Sequence, residues 1–94
     1  MKTLESIHLR FAGPSPQSLV DTIRKTIRCC SDPMEARIYR HTRLQTDLIV
    51  HLHREVVEGS GQASDVGIRL ASLLRGYGMV EHSVWTEHTG TGEE

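Results

Sequence analysis

The chain has 94 residues, with 11 Lys and Arg against 12 Asp and Glu, six His, and a formal net charge of −1 when the histidines are neutral. That length accommodates a single domain, residues 1–94. There is no basic excess to hold nucleic acid or an acidic membrane surface, so neither is expected as a partner.

Residues Ser6–Phe11 alternate: Ile7, Leu9 and Phe11 face one way and Ser6, His8 and Arg10 the other, which reads as a half-buried strand. Ala12-Gly13-Pro14 ends it, Ser15 is placed to cap a helix and Pro16 to open it. Val20, Ile23, Ile27 and Cys30 recur at helical spacing, with Leu19 widening the stripe, and Ser31-Asp32-Pro33 stops the helix near Cys30. A second strand runs from about Glu35 to Thr42, with Arg37, Tyr39 and His41 on one face. After a short connection the third strand sets Leu48, Val50 and Leu52 against Ile49, His51 and His53, and ends near Val57. Gly59-Ser60-Gly61 is a break.

The second helix starts between Ser60 and Ser64 and carries an apolar stripe of Val66, Leu70, Leu73, Leu74 and Tyr77. Gly67 on it weakens the helix or permits close approach to the sheet, and Gly76 and Gly78 are C-cap candidates. Val80–Thr86 is the last strand, and the polar run from about His88 to Glu94 reads as a frayed tail.

The order βαββαβ implies an α+β fold, a ferredoxin-like sandwich with an antiparallel four-stranded sheet in the order 4-1-3-2. Right-handed crossovers put both helices on one face of the sheet. The other face is left open, and the alternation assigns to it His8, Arg10, Ile49, His51 and His53. Tyr39 and His41 join them if the second strand keeps its parity. Trp85 joins them unless His82 and Val84 point outward instead. An uncovered face of this composition is expected to pair with a second copy of the chain.

The stretch Asp32-Pro33-Met34-Glu35-Ala36-Arg37-Ile38-Tyr39-Arg40, followed by the hairpin Leu44–Glu55, resembles the dimeric α+β barrel superfamily, and within it the antibiotic biosynthesis monooxygenase group. The resemblance implies a homodimer whose sheets face each other. It also implies, in some members, cofactor-free oxidation or isomerisation of small and often aromatic substrates. Two positions depart from the group's pattern: Met34 stands where a turn glycine is usual, and Val56 where a Trp often closes the third strand.

His51 and His53, two apart on a strand, point the same way about 6.5–7 Å apart. With His8 or His41 they have the chemistry for zinc or another imidazole-binding metal. No spaced Asp, Glu or Cys motif accompanies them, so neither a metal nor any other cofactor is expected. Hydrogen bonding across an interface, or proton transfer and ligand orientation, are the competing roles. Arg10, Arg37, Tyr39 and Trp85 suit a planar anionic ligand, through bidentate donors and stacking surface, and Asp47 and Glu55 flank the histidine strand where a carboxylate orients an imidazole. Cys29 and Cys30 are adjacent, so they neither staple distant elements nor show metal spacing, and they read as free thiols of a cytoplasmic protein. Met1–Lys2 is followed by Thr3, Glu5 and Ser6 rather than by an apolar run, and no targeting or membrane segment is expected.

The positions that would carry stacking aromatics in an RNA-recognition motif hold His8, Arg10, His51 and His53, and Ala12-Gly13-Pro14-Ser15 lacks the Cys-x-x-Cys of a metallochaperone. The expected function is therefore a small cytoplasmic homodimer that binds a small molecule through His8, Arg10, Tyr39, His41, His51, His53 and Trp85. A cofactor-free monooxygenase or isomerase, and a structural or assembly module, are the alternatives.

Overall fold

The computed structural model describes residues 2–11, 17–29, 34–44, 46–55 and 62–87. Its elements are β1 (Lys2–Phe11), α1 (Gln17–Arg28), β2 (Glu35–Arg40), β3 (Asp47–Glu55), α2 (Asp65–Leu74) and β4 (Gly78–Thr86). All neighbouring strands pair antiparallel in the order β2-β3-β1-β4. This is the ferredoxin-like α+β arrangement, with β1 and β3 in the middle of the sheet. Among the described residues no helix is long and apolar enough to cross a membrane.

One sheet face and the two helices share a single core. Ile7 and Leu9 of β1 and Leu48, Val50 and Leu52 of β3 lie under Leu19 and Ile23 of α1 and Val66, Leu70, Ala71 and Leu74 of α2. The alternation of apolar residues along the central strands fixes this, because successive side chains point to opposite faces. On α1 the centre of the buried stripe falls on Leu19 and Ile23, with Val20 and Ile27 half-buried at its margin. Thr22 and Thr26 satisfy their hydroxyls by donating to carbonyls one turn back, Ser18 and Thr22 respectively. Ser15, Pro16 and Cys30 lie outside the described residues, as do residues 56–61 and the tail from residue 88 onward.

Four boundaries depart from the pattern of the sequence. The first strand begins at Lys2 rather than Ser6, because the inward positions before Ile7 are Thr3 and Glu5, polar residues that hide the alternation yet are fully or almost fully buried. The second strand stops at Arg40, which leaves His41 beyond its end. Tyr77 lies beyond α2, about two-fifths exposed, and meets the Phe11 ring edge-on at 6.5 Å between centroids. Gly78 is the first residue of β4 rather than a helix cap; it pairs with Phe11, and a Cβ there would collide with the carbonyl of Arg10.

Ser64 caps α2 from an extended conformation, φ −74° and ψ 159°, its hydroxyl oxygen accepting the Gly67 N–H at 2.9 Å. The same hydroxyl donates to Oε1 of Glu5 at 2.7 Å, and the Ser64 backbone N–H reaches that oxygen at 3.1 Å. Oε2 of Glu5 is 2.6 Å from Nε2 of His82, which pairs in register with Ile7 and so faces the helices. Arg54 Nε approaches Oε1 to 3.9 Å. Glu5 has no solvent exposure, and these donors replace the water its carboxylate has lost. Gly67 leaves room for that carboxylate: a Cβ at 67 would overlap it.

Candidate functional site

The strand registers place the outward side chains in rows across the open face. Tyr39, Ile49, His8 and Glu81 form one row; Arg37, His51, Ser6 and Ser83 the next; Glu35, His53, Leu4 and Trp85 the third. Arg10, opposite Asp47 and Met79, lies beyond the first row. Six of the seven residues singled out in the sequence therefore share this face. His82, Val80 and Val84 point toward the helices, which settles Trp85 on the open side.

His41 is the exception. Past the end of β2 its backbone N–H still donates to the Asp47 carbonyl at 3.2 Å, while its Nδ1 accepts the N–H groups of Arg43 and Leu44, both at 3.0 Å. Its imidazole is committed to the turn between β2 and β3. The parity argument for His41 assumed two more strand residues than β2 has.

The other three histidines of the face separate into two groups. Tyr39, His51 and His53 form a run of edge-on rings, with centroids 5.2 Å apart for Tyr39–His51 and 6.2 Å for His51–His53. Burial lowers the His51 pKa, and the charge of a protonated His53 lowers it further. His8 belongs to a different arrangement. Its Nε2 lies 3.0 Å from Oδ2 of Asp47, and Thr46 donates to Oδ1 at 3.1 Å. Arg10 Nε is 3.6 Å from the same carboxylate. The hydrogen bond from His8, with those of Thr46 and the positive charges nearby, holds the Asp47 carboxyl below the usual carboxylate range despite its burial. When the His8 ring is neutral, an ionised Asp47 fixes its tautomer with the proton on Nε2 and leaves Nδ1 as the acceptor.

At the third row the surface opens into a trough of about 550 Å³, lined by Leu4, His53 and Trp85 together with the charged Lys2, Glu35, Arg54, Glu55 and Glu87. Trp85 is 61% exposed, but its indole is held in place: Nε1 donates to the Ser83 hydroxyl at 2.9 Å, two residues back on the same face. Glu35 accepts two hydrogen bonds from Arg37, 2.6 and 2.9 Å long, which lower its pKa and leave Arg37 tied to the edge of the face. The sequence offered no reason to single out Leu4, which lies before the expected start of the first strand, and Glu35, at the start of the expected second strand, carried no chemical signal of its own.

Among the described residues no three His, Cys, Asp or Glu side chains converge as a metal would require. Cys29 is an exposed free thiol at the end of α1. The chain matches no protein-family model, no curated protein and no solved structure.

Proposed function

We propose that two copies of this chain pack open face to open face, as in the dimeric α+β barrel superfamily, and enclose a small planar molecule over the row of Leu4, His53 and Trp85. The carrying observation is the trough at that row, about 550 Å³, with one pinned indole and one half-buried leucine. That volume is in the range of small-molecule sites. Ile49 and Tyr39 extend the apolar surface across the sheet, and a second copy would cover it. On this reading the protein works in the reducing cytosol, where Cys29 stays a thiol.

Trp85 is the only tryptophan, so its fluorescence reports on the trough alone. Sedimentation at micromolar concentration is expected to give a dimer. A panel of planar phenols and aromatic acids is expected to yield members that both raise the melting temperature and quench Trp85. A monomer in sedimentation, together with an unresponsive Trp85 across the panel, removes the proposal.

The dimer is also expected to weaken as pH falls. Within the single chain, burial and the charge of His53 already hold the folded His51 pKa below its unfolded value, so the unfolded chain takes up protons that the folded one resists; covering the ring in the proposed dimer would press in the same direction. Stability from this group is complete above about pH 6.5. It is lost as pH falls from there through the lowered folded pKa, and protonated His51 and His53 then repel each other. The measurement is the dimer dissociation constant between about pH 7 and pH 5, for the parent and for His51→Gln with His53→Gln. A flat parent profile would count against burial of these rings in a dimer.

The His8–Asp47 pair favours a second reading, proton abstraction from an enolisable or phenolic substrate. An imidazole whose Nε2–H is held by an ionised carboxylate presents Nδ1 as a base, and Arg10 supplies a positive charge for the anion that forms. Turnover of such substrates, lost in both His8→Gln and Asp47→Asn, would support it. Binding without turnover leaves the chain a binding protein.

A further inference from the structure

Away from the open face, we infer that the outer edge of β2 and the adjoining groove on α1 form a docking site for an extended acidic peptide, which adds to the sheet as a fifth strand. Three observations converge there. First, β2 ends the sheet, and among the described residues no strand pairs with its outer side. The His41 N–H bonds inward to Asp47, so by the alternation of an antiparallel ladder the backbone groups of Ala36, Ile38 and Arg40 point out to the free edge. Exposed N–H and C=O groups in that pattern are a template for another strand.

Second, a groove of about 310 Å³ runs between that edge and α1, with Ile27, Ala36 and Ile38 as an apolar floor and Arg24 and Arg28 above it. The two arginines stand one helical turn apart, about 5–6 Å. Alternate side chains of an extended peptide are about 6.5–7 Å apart. Carboxylates at every second position would therefore meet the two guanidiniums in succession.

Third, charge is segregated along the chain. Six of the 11 Lys and Arg fall between residues 24 and 43, against two carboxylates, although the whole chain is net −1. The edge of β2 is thus the basic flank of a slightly acidic protein.

The groove has no exposed aromatic on which bases would stack, which favours a peptide over a single-stranded nucleic acid. The opposite edge of the same sheet, β4, turns Val80, His82 and Val84 to the helix side. It offers no carboxylate to Arg24 and Arg28, which favours a foreign strand over a second copy.

The probe is a fluorescent hexapeptide with Glu at alternate positions separated by Thr, compared with its Lys counterpart. The Glu peptide is expected to bind, to shift the amide resonances of Glu35–Arg40 and the last turns of α1, and to leave those of β4 in place. Arg24→Glu with Arg28→Glu is expected to weaken binding at least about tenfold. Ala36→Pro removes an outward donor without touching charge or an internal ladder bond, and is expected to weaken it as much. The amide shifts of the parent protein decide the outcome if that variant folds poorly. The inference is overturned if the Glu peptide does not bind, or if it binds without shifting β2. It is equally overturned if a single-stranded oligonucleotide of six nucleotides binds more tightly.

Discussion

Glu5→Ala is expected to cost about 3–5 kcal/mol of folding free energy, read as a lower urea midpoint. The carboxylate is completely buried and is the common acceptor for the Ser64 N–H, the Ser64 hydroxyl and His82. Removing it strands three donors at the junction of β1, β4 and the start of α2, and each unmet donor keeps its own desolvation cost. Gly67→Ala tests the same joint from the other side. In the parent it forces a methyl into the space of the Glu5 carboxylate and should be strongly destabilising. In Glu5→Ala that space is vacated, so the cost of Gly67→Ala should largely disappear. Additive losses in the double variant would show that the two residues do not share this space.

Leu52→Ala is expected to cost about 2–5 kcal/mol, since it opens a cavity at a fully buried position in the second of the two central strands. Its neighbour on the opposite face gives the contrast. Ile49→Ala removes a half-buried side chain that faces away from the helices. It should leave monomer stability nearly unchanged and, if the proposed face-to-face packing holds, weaken the dimer. An equal loss of midpoint in both variants would mean that the core does not lie on the Leu48, Val50 and Leu52 side alone.

The element order, the strand order and the inward parity of β1 and β3 were legible because they rest on apolar residues at period two or at helical spacing. Ile7 and Leu9 predict each other, as do Leu48, Val50 and Leu52. The open-face placement of His8, Arg10, His51 and His53 then follows from the pleat. What escaped the pattern was the polar interior. The parity that puts Ile7 inside also puts Glu5 and Thr3 inside, but a charged residue on an apolar face breaks the alternation by which a strand is recognised. The partners that make Glu5 tolerable, Ser64 and His82, are 59 and 77 residues away in sequence. Period alone cannot show such a network. The division of the histidines had a similar origin: facing the same way was legible, whereas the preference of His8 for Asp47 over His51 depends on register.

The position of β1 has a consequence for the timing of synthesis. The first strand made is a central one, and its two ladders await β3 and β4; the second of them aligns Thr3 with Thr86. At a translation rate of about 5–20 residues per second, β4 follows β1 by several seconds. Until β3 follows, Ile7 and Leu9 have a strand on neither flank, and until β4 follows the Glu5 carboxylate has no imidazole beside it. The nascent chain thus passes through a period in which its best sheet-forming segment has free edges, and a holding chaperone that favours extended apolar segments would find its target in Lys2–Phe11.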